Sequence, residues 1–241
     1  MPMRYLSLAA DYDGTLAQDG QVDQKTVAVL ERLLATGRKL VLVTGRELDD
    51  LLATFRAVNL FDWVVAENGA LLYHPRSREQ KLLAEPPPRS LTRLLRERGV
   101  EPLSVGRIIV ATCQPHERTV LDTIRDLGLE QQIIFNKGAV MVLPSGVSKA
   151  TGLTAALNVM GLSAQNVVGV GDAENDHAFL RICGCAVAVA NALPALKEHA
   201  DMVTQASHGA GVAELIERLI ADDLAACHER NPLGRRSKSI E

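Results

Sequence analysis

The chain has 241 residues, of which 47% are hydrophobic and only 3% aromatic, and its formal net charge is −3. This length suits one large domain or a core with a smaller insert, and the hydrophobic fraction is ample for a core of Leu, Val and Ala. The small negative charge argues against a nucleic-acid or anionic-membrane partner, because either would require a basic field on the protein.

The N-terminal residues and the cysteines predict a cytoplasmic protein. Residues 1–4 lead directly into a strand pattern without the apolar stretch of a signal peptide, and no apolar run is long enough to span a bilayer. Cys183 and Cys185 have no partner pair elsewhere in the chain, so small buried thiols are favoured over a metal site. Unpaired thiols are typical of a reducing compartment.

The first predicted strand, residues 5–10, ends at the acidic segment Asp11–Thr15, which reads Asp-Tyr-Asp-Gly-Thr. Two carboxylates one residue apart at the mouth of a buried strand repel each other and resist desolvation, unless a cation or a proton-transfer task compensates. The carboxyl ends of strands are also where open parallel sheets bind ligands. An Asp-rich turn that only caps the following segment is the alternative.

Helical and strand patterns alternate in both flanks of the chain. Asp23 and Asn191 stand where they can cap the helices that follow them. Near-continuous Val, Leu and Ala strands alternating with helices predict an α/β fold, in which a doubly wound, Rossmann-like parallel sheet is covered by helices on both faces. The predicted elements are helix 23–37, strand 39–43, a helix through 48–55, strands 63–66 and 166–170, helix 173–182, strand 185–189 and helix 193–199.

The middle of the chain has a different pattern. Three prolines from Pro86 to Pro88 indicate a stiff linker. We predict a small α+β domain at 84–147, inserted into a core domain formed by 1–83 and 148–230, and a disordered tail at 231–241. The insert's predicted elements are a basic helix 89–98, strand 107–111, a helix near 115–127 and a hairpin of strands 132–135 and 139–143 around Lys137.

Polar groups at several strand ends are predicted to meet. Asp11, Thr44 and Asp172 each follow a strand, and the carboxyl ends of parallel strands share one edge of the sheet. Lys149 reaches the same edge from the start of the helix that precedes strand 166–170. Crowded carboxylates require a hard cation such as Mg²⁺, and a lysine beside them supplies charge for an anionic group. The set predicts a phosphoryl-transfer centre.

In this order the motifs resemble those of the haloacid dehalogenase-like hydrolase superfamily. The four segments are Asp11–Thr15, Thr44–Arg46, Lys149 and Gly171–Asp176. The insert resembles the α+β cap of the Cof-like branch, which includes sucrose-phosphate, mannosyl-phosphoglycerate and phosphoglycolate phosphatases. The segment Glu67–Ala70 is similar to a loop common in that branch.

The resemblance implies a Mg²⁺-dependent phosphatase that acts on a phosphomonoester through an aspartyl-phosphate. Asp11 is implied as the nucleophile, and Asp13 as the general acid and then the general base. The implied metal ligands are Asp11, the main-chain carbonyl of Asp13, and Asp172. Asp176 is implied as a supporting residue that orients Lys149. The implied substrate-binding residues are Thr44, Gly45, Arg46, Lys149 and Asn175.

Two alternatives stay open at this stage. A phosphomutase or phosphotransferase of the same superfamily would carry the same motifs. A receiver-like signalling module also gathers acids, a Thr and a Lys around Mg²⁺, but it has neither the Asp-x-Asp pair nor an inserted domain. Release of free phosphate with a single substrate would separate a phosphatase from both.

The substrate is predicted to be a small phosphomonoester, a sugar phosphate or a phosphoglycolate-like acid, selected by residues 84–147. Lys137 is the preferred candidate for this selection, ahead of Arg107 and Arg118, because a hairpin tip can swing over the site. The alternative is that Lys137 is a solvated surface lysine.

Overall fold

The computed structural model describes residues 3–225 and 227. Within that part of the chain no helix is long and apolar enough to cross a membrane. The strands are β1 Ser7–Asp11, β2 Lys39–Val43, β3 Trp63–Ala66, β4 Leu71–His74, β5 Glu79–Leu82, β6 Ser104–Val105, β7 Val110–Cys113, β8 Gln131–Asn136, β9 Ala139–Pro144, β10 Val167–Gly171, β11 Cys185–Ala188 and β12 Met202–Val203. The α-helices are α1 Gln24–Ala35, α2 Leu48–Thr54, α3 Arg89–Glu97, α4 Glu117–Asp126, α5 Lys149–Met160, α6 His177–Ile182, α7 Pro194–His199 and α8 His208–Asp222.

Eight strands form the large sheet, in the order β12-β11-β10-β1-β2-β3-β4-β5. The first six run parallel, and β4 and β5 are antiparallel additions at one edge. The order reverses at β1, whose neighbours are β2 on one side and β10 on the other. Because crossovers are right-handed, this reversal puts α1 and α6 on opposite faces and opens a crevice at the carboxyl ends of β1 and β10. The predicted α/β, doubly wound fold is confirmed.

The sheet is the centre of the main hydrophobic core. All five residues of β1 and of β10 are buried, as expected for strands covered on both faces. Helix α1 begins where Asp23 Oδ1 accepts a hydrogen bond from Thr26 N at 2.6 Å, so the predicted cap is present. This helix buries Leu30 and Leu33 and packs on α8, while α5 packs on α6.

A second, antiparallel sheet of four strands lies between two helices and the large sheet. Its order is β6-β7-β9-β8, and the predicted hairpin is formed by β8 and β9. One face packs Val140 and Val142 against Leu91 of α3 and Val120 of α4. On the other face, Met141, Ile109 and Leu143 pack against Ala70, the residue before β4 of the large sheet. The chain leaves the large sheet after β5, builds this sheet and returns at α5.

The structure corrects several predicted elements. The hairpin of β4 and β5 was not predicted, and β7 begins at Val110 rather than 107 because residues 106–109 make a turn, with Gly106 N donating to Ile109 O at 2.9 Å. In place of the start of helix 173–182, Glu174–Asp176 form a 3-10 turn before α6. Asn191 does not cap α7, which begins at Pro194 without a side-chain cap. The predicted tail, 231–241, lies outside the described residues.

Candidate active site

The crevice at the strand-order reversal is lined by buried polar residues. Asp11 is the last residue of β1, Asp172 follows β10, and Thr44 follows β2. All three are buried, with Thr44 and Asp172 fully so. Each stands at the last position of a buried strand or one residue after it, so the strand that contributes to the core also carries a polar side chain to the sheet edge.

Lys149 joins two of the acids. It is the first residue of α5, whose N-cap Ser148 accepts a hydrogen bond from Thr151 N at 3.3 Å. Its Nζ lies 2.5 Å from Asp11 Oδ1 and 2.6 Å from Asp176 Oδ1, and the side chain is only 1% exposed. Burial acts to lower the pKa of Lys149, but the charges of Asp11 and Asp176 outweigh burial and raise it. The ammonium therefore stays charged inside the protein.

Asp176 is a positioning group in this geometry. Its Oδ1 accepts from Lys149, and its Oδ2 accepts from Asp172 N at 2.8 Å and Ala173 N at 3.0 Å. Both oxygens are thus occupied by the protein's own donors. The Asp176 side chain therefore fixes both the start of the 3-10 turn and the position of Lys149, as expected of a residue that orients other site residues.

The acids form a place where a divalent cation fits. Asp11, Asp172 and Asp176 each bring a carboxylate oxygen within 4.8 Å of the others, and all three are buried. Both Asp176 oxygens are bound by the protein's own donors. Asp172 pairs with Lys137, so a metal held by Asp11 and Asp172 would take the place of that ammonium. Burial, followed by the charges of Asp176 and Asp172, raises the pKa of Asp11 to about 8 despite Lys149. A hard cation would stabilise the ionised form, so the donor set suits Mg²⁺.

Asp13 faces away from this cluster and binds Arg46. Arg46 Nε donates to Asp13 Oδ2 at 2.7 Å and Nη2 donates to Oδ1 at 2.8 Å. The guanidinium also donates to Asp50 Oδ2 at 2.8 Å and lies 5.1 Å from the ring centroid of Tyr12. The Asp13 side chain is thus bound to Arg46, and the predicted metal contact through the Asp13 main-chain carbonyl stays a prediction. The predicted substrate contact of Arg46 stays a prediction.

The loop after β2 brings the predicted phosphate-binding residues close to Asn175. Thr44 Oγ1 accepts from Arg46 N at 3.1 Å, which closes a tight turn around Gly45. A Cβ placed on Gly45 would lie 3.7 Å from Asn175 Nδ2 and 3.6 Å from Met141 Sδ. Gly45 therefore lies between Met141 of the second sheet and Asn175.

Lys137 reaches the acid cluster from the tip of the β8–β9 hairpin. Its Nζ forms an ion pair with Asp172 Oδ2, and its backbone N donates to Glu174 Oε2 at 3.4 Å. With Lys149, two ammonium groups therefore face three carboxylates. The other basic candidates stand elsewhere: Arg107 pairs with Asp49, and the Arg118 side chain is 91% exposed. The Lys137 side chain is paired with Asp172 and 46% exposed, and its selection of the substrate stays a prediction.

Gly14 allows the acidic segment to close over Asp172. Its φ is +85°, and a Cβ there would stand 2.2 Å from Asp172 Oδ2, so only glycine fits. Thr15 Oγ1 donates to Asp172 Oδ1 at 3.2 Å. Asn191 Nδ2 donates a hydrogen bond to the Gly14 carbonyl at 2.8 Å. The side chain that was expected to cap α7 therefore binds the acidic segment instead. Sequence reasoning did not assign Thr15 or Asn191 to the site.

Sequence reasoning also left Glu67 and Asn68 without a role, although the segment was noticed for its resemblance. Both are buried in left-handed backbone, with φ of 50° and 54°. The Glu67 carboxylate accepts three backbone hydrogen bonds from the turn before β7, namely from Arg107 N at 3.0 Å, Ile108 N at 2.7 Å and Ile109 N at 3.0 Å. A Glu between an apolar strand and the turn-forming Asn-Gly pair was the available signal.

Known proteins resemble this chain in both sequence and fold. A family model described as haloacid dehalogenase-like hydrolase matches residues 8–101 and 108–216. A phosphoglycolate phosphatase of Methanothermobacter thermautotrophicus is 33% identical over 224 residues, which cover 89% of this chain and 98% of that protein. Phosphoglycolate phosphatase 2 of Saccharolobus solfataricus is 30% identical over 221 residues, covering 89% and 92%.

A solved structure shares the fold. A haloacid dehalogenase-like hydrolase from Bacteroides thetaiotaomicron superposes with a TM-score of 0.75 at 21% identity, covering 89% of this chain and 99% of that one. At this identity the superposition shows the architecture alone.

Proposed function

The chain belongs to the haloacid dehalogenase-like hydrolase family, as its motifs predicted, and from that membership we propose a Mg²⁺-dependent phosphatase acting through an aspartyl-phosphate. It is a phosphoric monoester hydrolase, and the proposed substrate is a small phosphomonoester of the phosphoglycolate type. A cytoplasmic location and the lack of a nucleic-acid or membrane partner stay predictions from the sequence.

The observation that carries the proposal is the contact of Lys149 with Asp11. A carboxylate buried at the sheet edge and bound to a buried ammonium is held in one orientation, with its second oxygen free to react. The same lysine would balance the charge of an approaching phosphoryl group, because it is already bound to Asp176 and cannot move away. These are the requirements of a positioned nucleophile.

In the proposed first step an oxygen of Asp11 attacks phosphorus in line with the ester oxygen. The phosphorus–ester bond breaks as the new bond to Asp11 forms, and Asp13 donates a proton to the departing alcohol oxygen. Asp13 must therefore turn from Arg46 towards the crevice, which its 44% exposed side chain allows. In the second step Asp13 takes a proton from water, the water oxygen attacks phosphorus, and Asp11 is released with free phosphate.

Bound Mg²⁺ would supply charge neutralisation for the phosphoryl oxygens, with Asp11, the Asp13 carbonyl and Asp172 as its ligands. Thr44 and the Gly45 amide would orient the remaining oxygens, with Asn175 beside them. We also propose that residues 84–147 act as the cap that reads the leaving group, with Lys137 as the cation for a carboxylate on the substrate. Its ion pair with Asp172 supports this assignment, because it puts the ammonium at the edge of the site.

Phosphate release from a panel of esters tests the function. The panel contains 2-phosphoglycolate, a hexose phosphate and a small aryl phosphate, each as sole substrate with Mg²⁺. We expect free phosphate from the wild type, highest kcat/KM for 2-phosphoglycolate, no turnover by Asp11→Asn, and a loss of about 100-fold or more in Asp13→Asn.

Two results would contradict the proposal. Turnover by folded Asp11→Asn would exclude the covalent mechanism. Phosphate release that requires a second phosphorylated sugar would favour the phosphomutase alternative.

A further inference from the structure

The turn Glu67–Gly69 holds a polar side chain next to the phosphate-binding loop that no sequence motif assigned to the reaction. Asn68 is 1% exposed. Its Oδ1 accepts a hydrogen bond from Asn175 Nδ2 at 3.0 Å, so it is paired with a predicted substrate-binding residue. A Cβ placed on Gly45 would lie 4.0 Å from the same Oδ1, which sets Asn68 beside the Gly45 α-carbon.

The remaining atoms of this amide pair are unsatisfied. Among the described residues Asn68 Nδ2 and Asn175 Oδ1 are buried without a hydrogen-bond partner. Buried polar groups are nearly always paired, because leaving a donor unmade costs its full desolvation penalty. An unpaired amide donor on a side chain next to the Thr44–Arg46 loop therefore indicates a position that a ligand oxygen completes.

The backbone around Asn68 is strained in a way that serves this placement. Asn68 adopts φ 54° and ψ 31°, with Glu67 before it and Gly69 after it also at positive φ. Asn68 N donates to Thr44 O at 2.9 Å and Glu67 N donates to Arg46 O at 2.9 Å. The turn is thus bonded to both sides of the Thr44–Arg46 loop, and strained residues kept by such contacts are concentrated at functional sites.

The turn Glu67–Gly69 is also fixed by contacts on both of its sides. A Cβ on Gly69 would stand 1.9 Å from Ser148 O, so the backbone packs directly against the residue before Lys149. On its other side Glu67 is fixed by the three amides of residues 107–109. Asn68 is therefore held between the nucleophile's lysine and the second sheet, as a preorganised donor must be.

We propose that Asn68 is a substrate-contacting residue, whose side-chain amide donates a hydrogen bond to an oxygen of the phosphoryl group beside the Gly45 amide. This assignment rests on the phosphatase function proposed above. The contact is to the transferred group and not to the leaving group, because Gly45 and Asn175 flank Asn68 on the core side.

Binding of inorganic phosphate to the Mg²⁺-loaded protein, followed by calorimetry, tests the contact. Asn68→Gly removes the donor without strain at positive φ, and Asn68→Asp keeps the shape and the acceptor but replaces the donor with an oxygen. We expect the phosphate Kd to rise about tenfold in Asn68→Gly and further in Asn68→Asp. Asn158→Asp, an exposed site on α5, is the matched control and should leave the Kd unchanged.

Kinetics distinguish this contact from a merely structural role. Loss of a phosphoryl contact should lower kcat/KM by the same factor for 2-phosphoglycolate and for an aryl phosphate. A phosphate Kd within twofold of the wild type in either folded variant overturns the proposal. So does a loss confined to 2-phosphoglycolate, since that result would assign Asn68 to the leaving group.

A measurement on the unmodified chain covers the case in which the variants fail to fold. The Asn68 side-chain amide signals in a nitrogen-15 spectrum of the Mg²⁺-loaded wild type should shift on saturation with phosphate, and unshifted signals would overturn the assignment. If the wild type neither binds phosphate nor releases it from any ester, the proposed function itself fails. A wild type that does both, with Asn68 unaffected, refutes only this inference.

Discussion

Arg46 donates two parallel hydrogen bonds of 2.7 and 2.8 Å to the Asp13 carboxylate, although the two residues lie 33 positions apart in the chain. The bonds turn the Asp13 carboxylate away from the buried acid cluster. The hydrogen bonds that Asp13 accepts raise the pKa of Arg46 further, so the guanidinium stays charged. The predicted general acid is therefore stored in one defined orientation.

Removing the guanidinium should disorder Asp13 and slow the reaction. We expect Arg46→Ala to lower kcat/KM by about 10- to 100-fold on every phosphoester, because Arg46 ties the Asp13 segment to Asp50 of α2, and without that tie the backbone that carries Asp13 is less well positioned. Arg46→Lys should recover only part of the lost kcat/KM, since an ammonium cannot donate the two parallel hydrogen bonds that the guanidinium gives to Asp13. Arg32→Ala, which breaks an exposed bidentate pair with Glu217, is the control and should have no effect on kcat/KM. Full activity in Arg46→Ala would show that Asp13 orients itself.

Metal identity should decide activity. We expect a chelator to abolish phosphate release and Mg²⁺ to restore it, while Ca²⁺ binds without supporting turnover. Ca²⁺ accepts more oxygens in looser geometry, so it can take both oxygens of Asp11 and occupy the one that must attack phosphorus. Steady-state rates with each cation after chelation provide the measurement. Equal rates with Ca²⁺ and Mg²⁺, or full activity in excess chelator, would contradict this prediction.

Metal affinity and metal-free stability should both depend on pH through Asp11. Burial raises its pKa from an ordinary 3.8 to about 8. The pKa of Asp11 is higher in the folded than in the unfolded protein, so protonated Asp11 favours the folded state. This contribution to the free energy of unfolding is complete below about pH 4 and is lost as the pH rises towards 8. A metal must displace this proton, so its Kd should fall as the pH rises over the same range.

Calorimetric Kd values at pH 6, 7 and 8, with Tm measured without metal, check both trends. Residue 11 cannot ionise in Asp11→Asn, so the metal Kd and the Tm of this variant should depend less on pH than those of the wild type. Metal binding that is independent of pH in the wild type would argue that Asp11 is already ionised.

Lys137 should affect only substrates with an anionic leaving group. We expect Lys137→Ala to reduce kcat/KM for 2-phosphoglycolate by about tenfold or more, because a charge-assisted contact is lost, while an aryl phosphate is nearly unaffected. Arg118→Ala, which removes an exposed cation of the same insert, is the matched control. An equal loss on both substrates would assign Lys137 to the core chemistry, and no loss on either would leave it without a role in selection.

Glu67 should hold the second sheet onto the core. In Glu67→Gln an amide group faces the backbone N–H donors of residues 107–109, so at least one hydrogen bond is lost in a buried place. We expect a loss of about 1–3 kcal/mol in the free energy of unfolding and faster hydrogen exchange at those amides. Glu47→Gln, at a solvent-facing contact with Ser104, is the control. Unchanged exchange at 107–109 would show that the turn is held by other contacts.

Local patterns were sufficient to predict much of this structure. Asp23 caps α1, β1 and β2 lie where their apolar runs predicted, and the β8–β9 hairpin surrounds Lys137 as expected. Each of these features depends on residues within a few positions of one another, so the sequence records them directly. Asp11 and Asp172 followed from the same reasoning, because parallel strand ends share an edge whatever the rest of the chain does.

Other features depend on which distant segments meet, and no local pattern encodes that. Asn191 has the type and position of a helix cap, yet the folded chain brings it to the Gly14 carbonyl. Glu67 has no local partner, but the path of the inserted segment presents three unpaired amides to it. By itself the sequence determined the central strands β1, β2, β3 and β10, the family motifs and the acidic edge of the sheet. The tertiary structure decided that Arg46 holds Asp13, that Lys137 reaches Asp172 and that Asn68 lies beside Gly45, because a buried polar group takes whichever partner the packed backbone delivers to it.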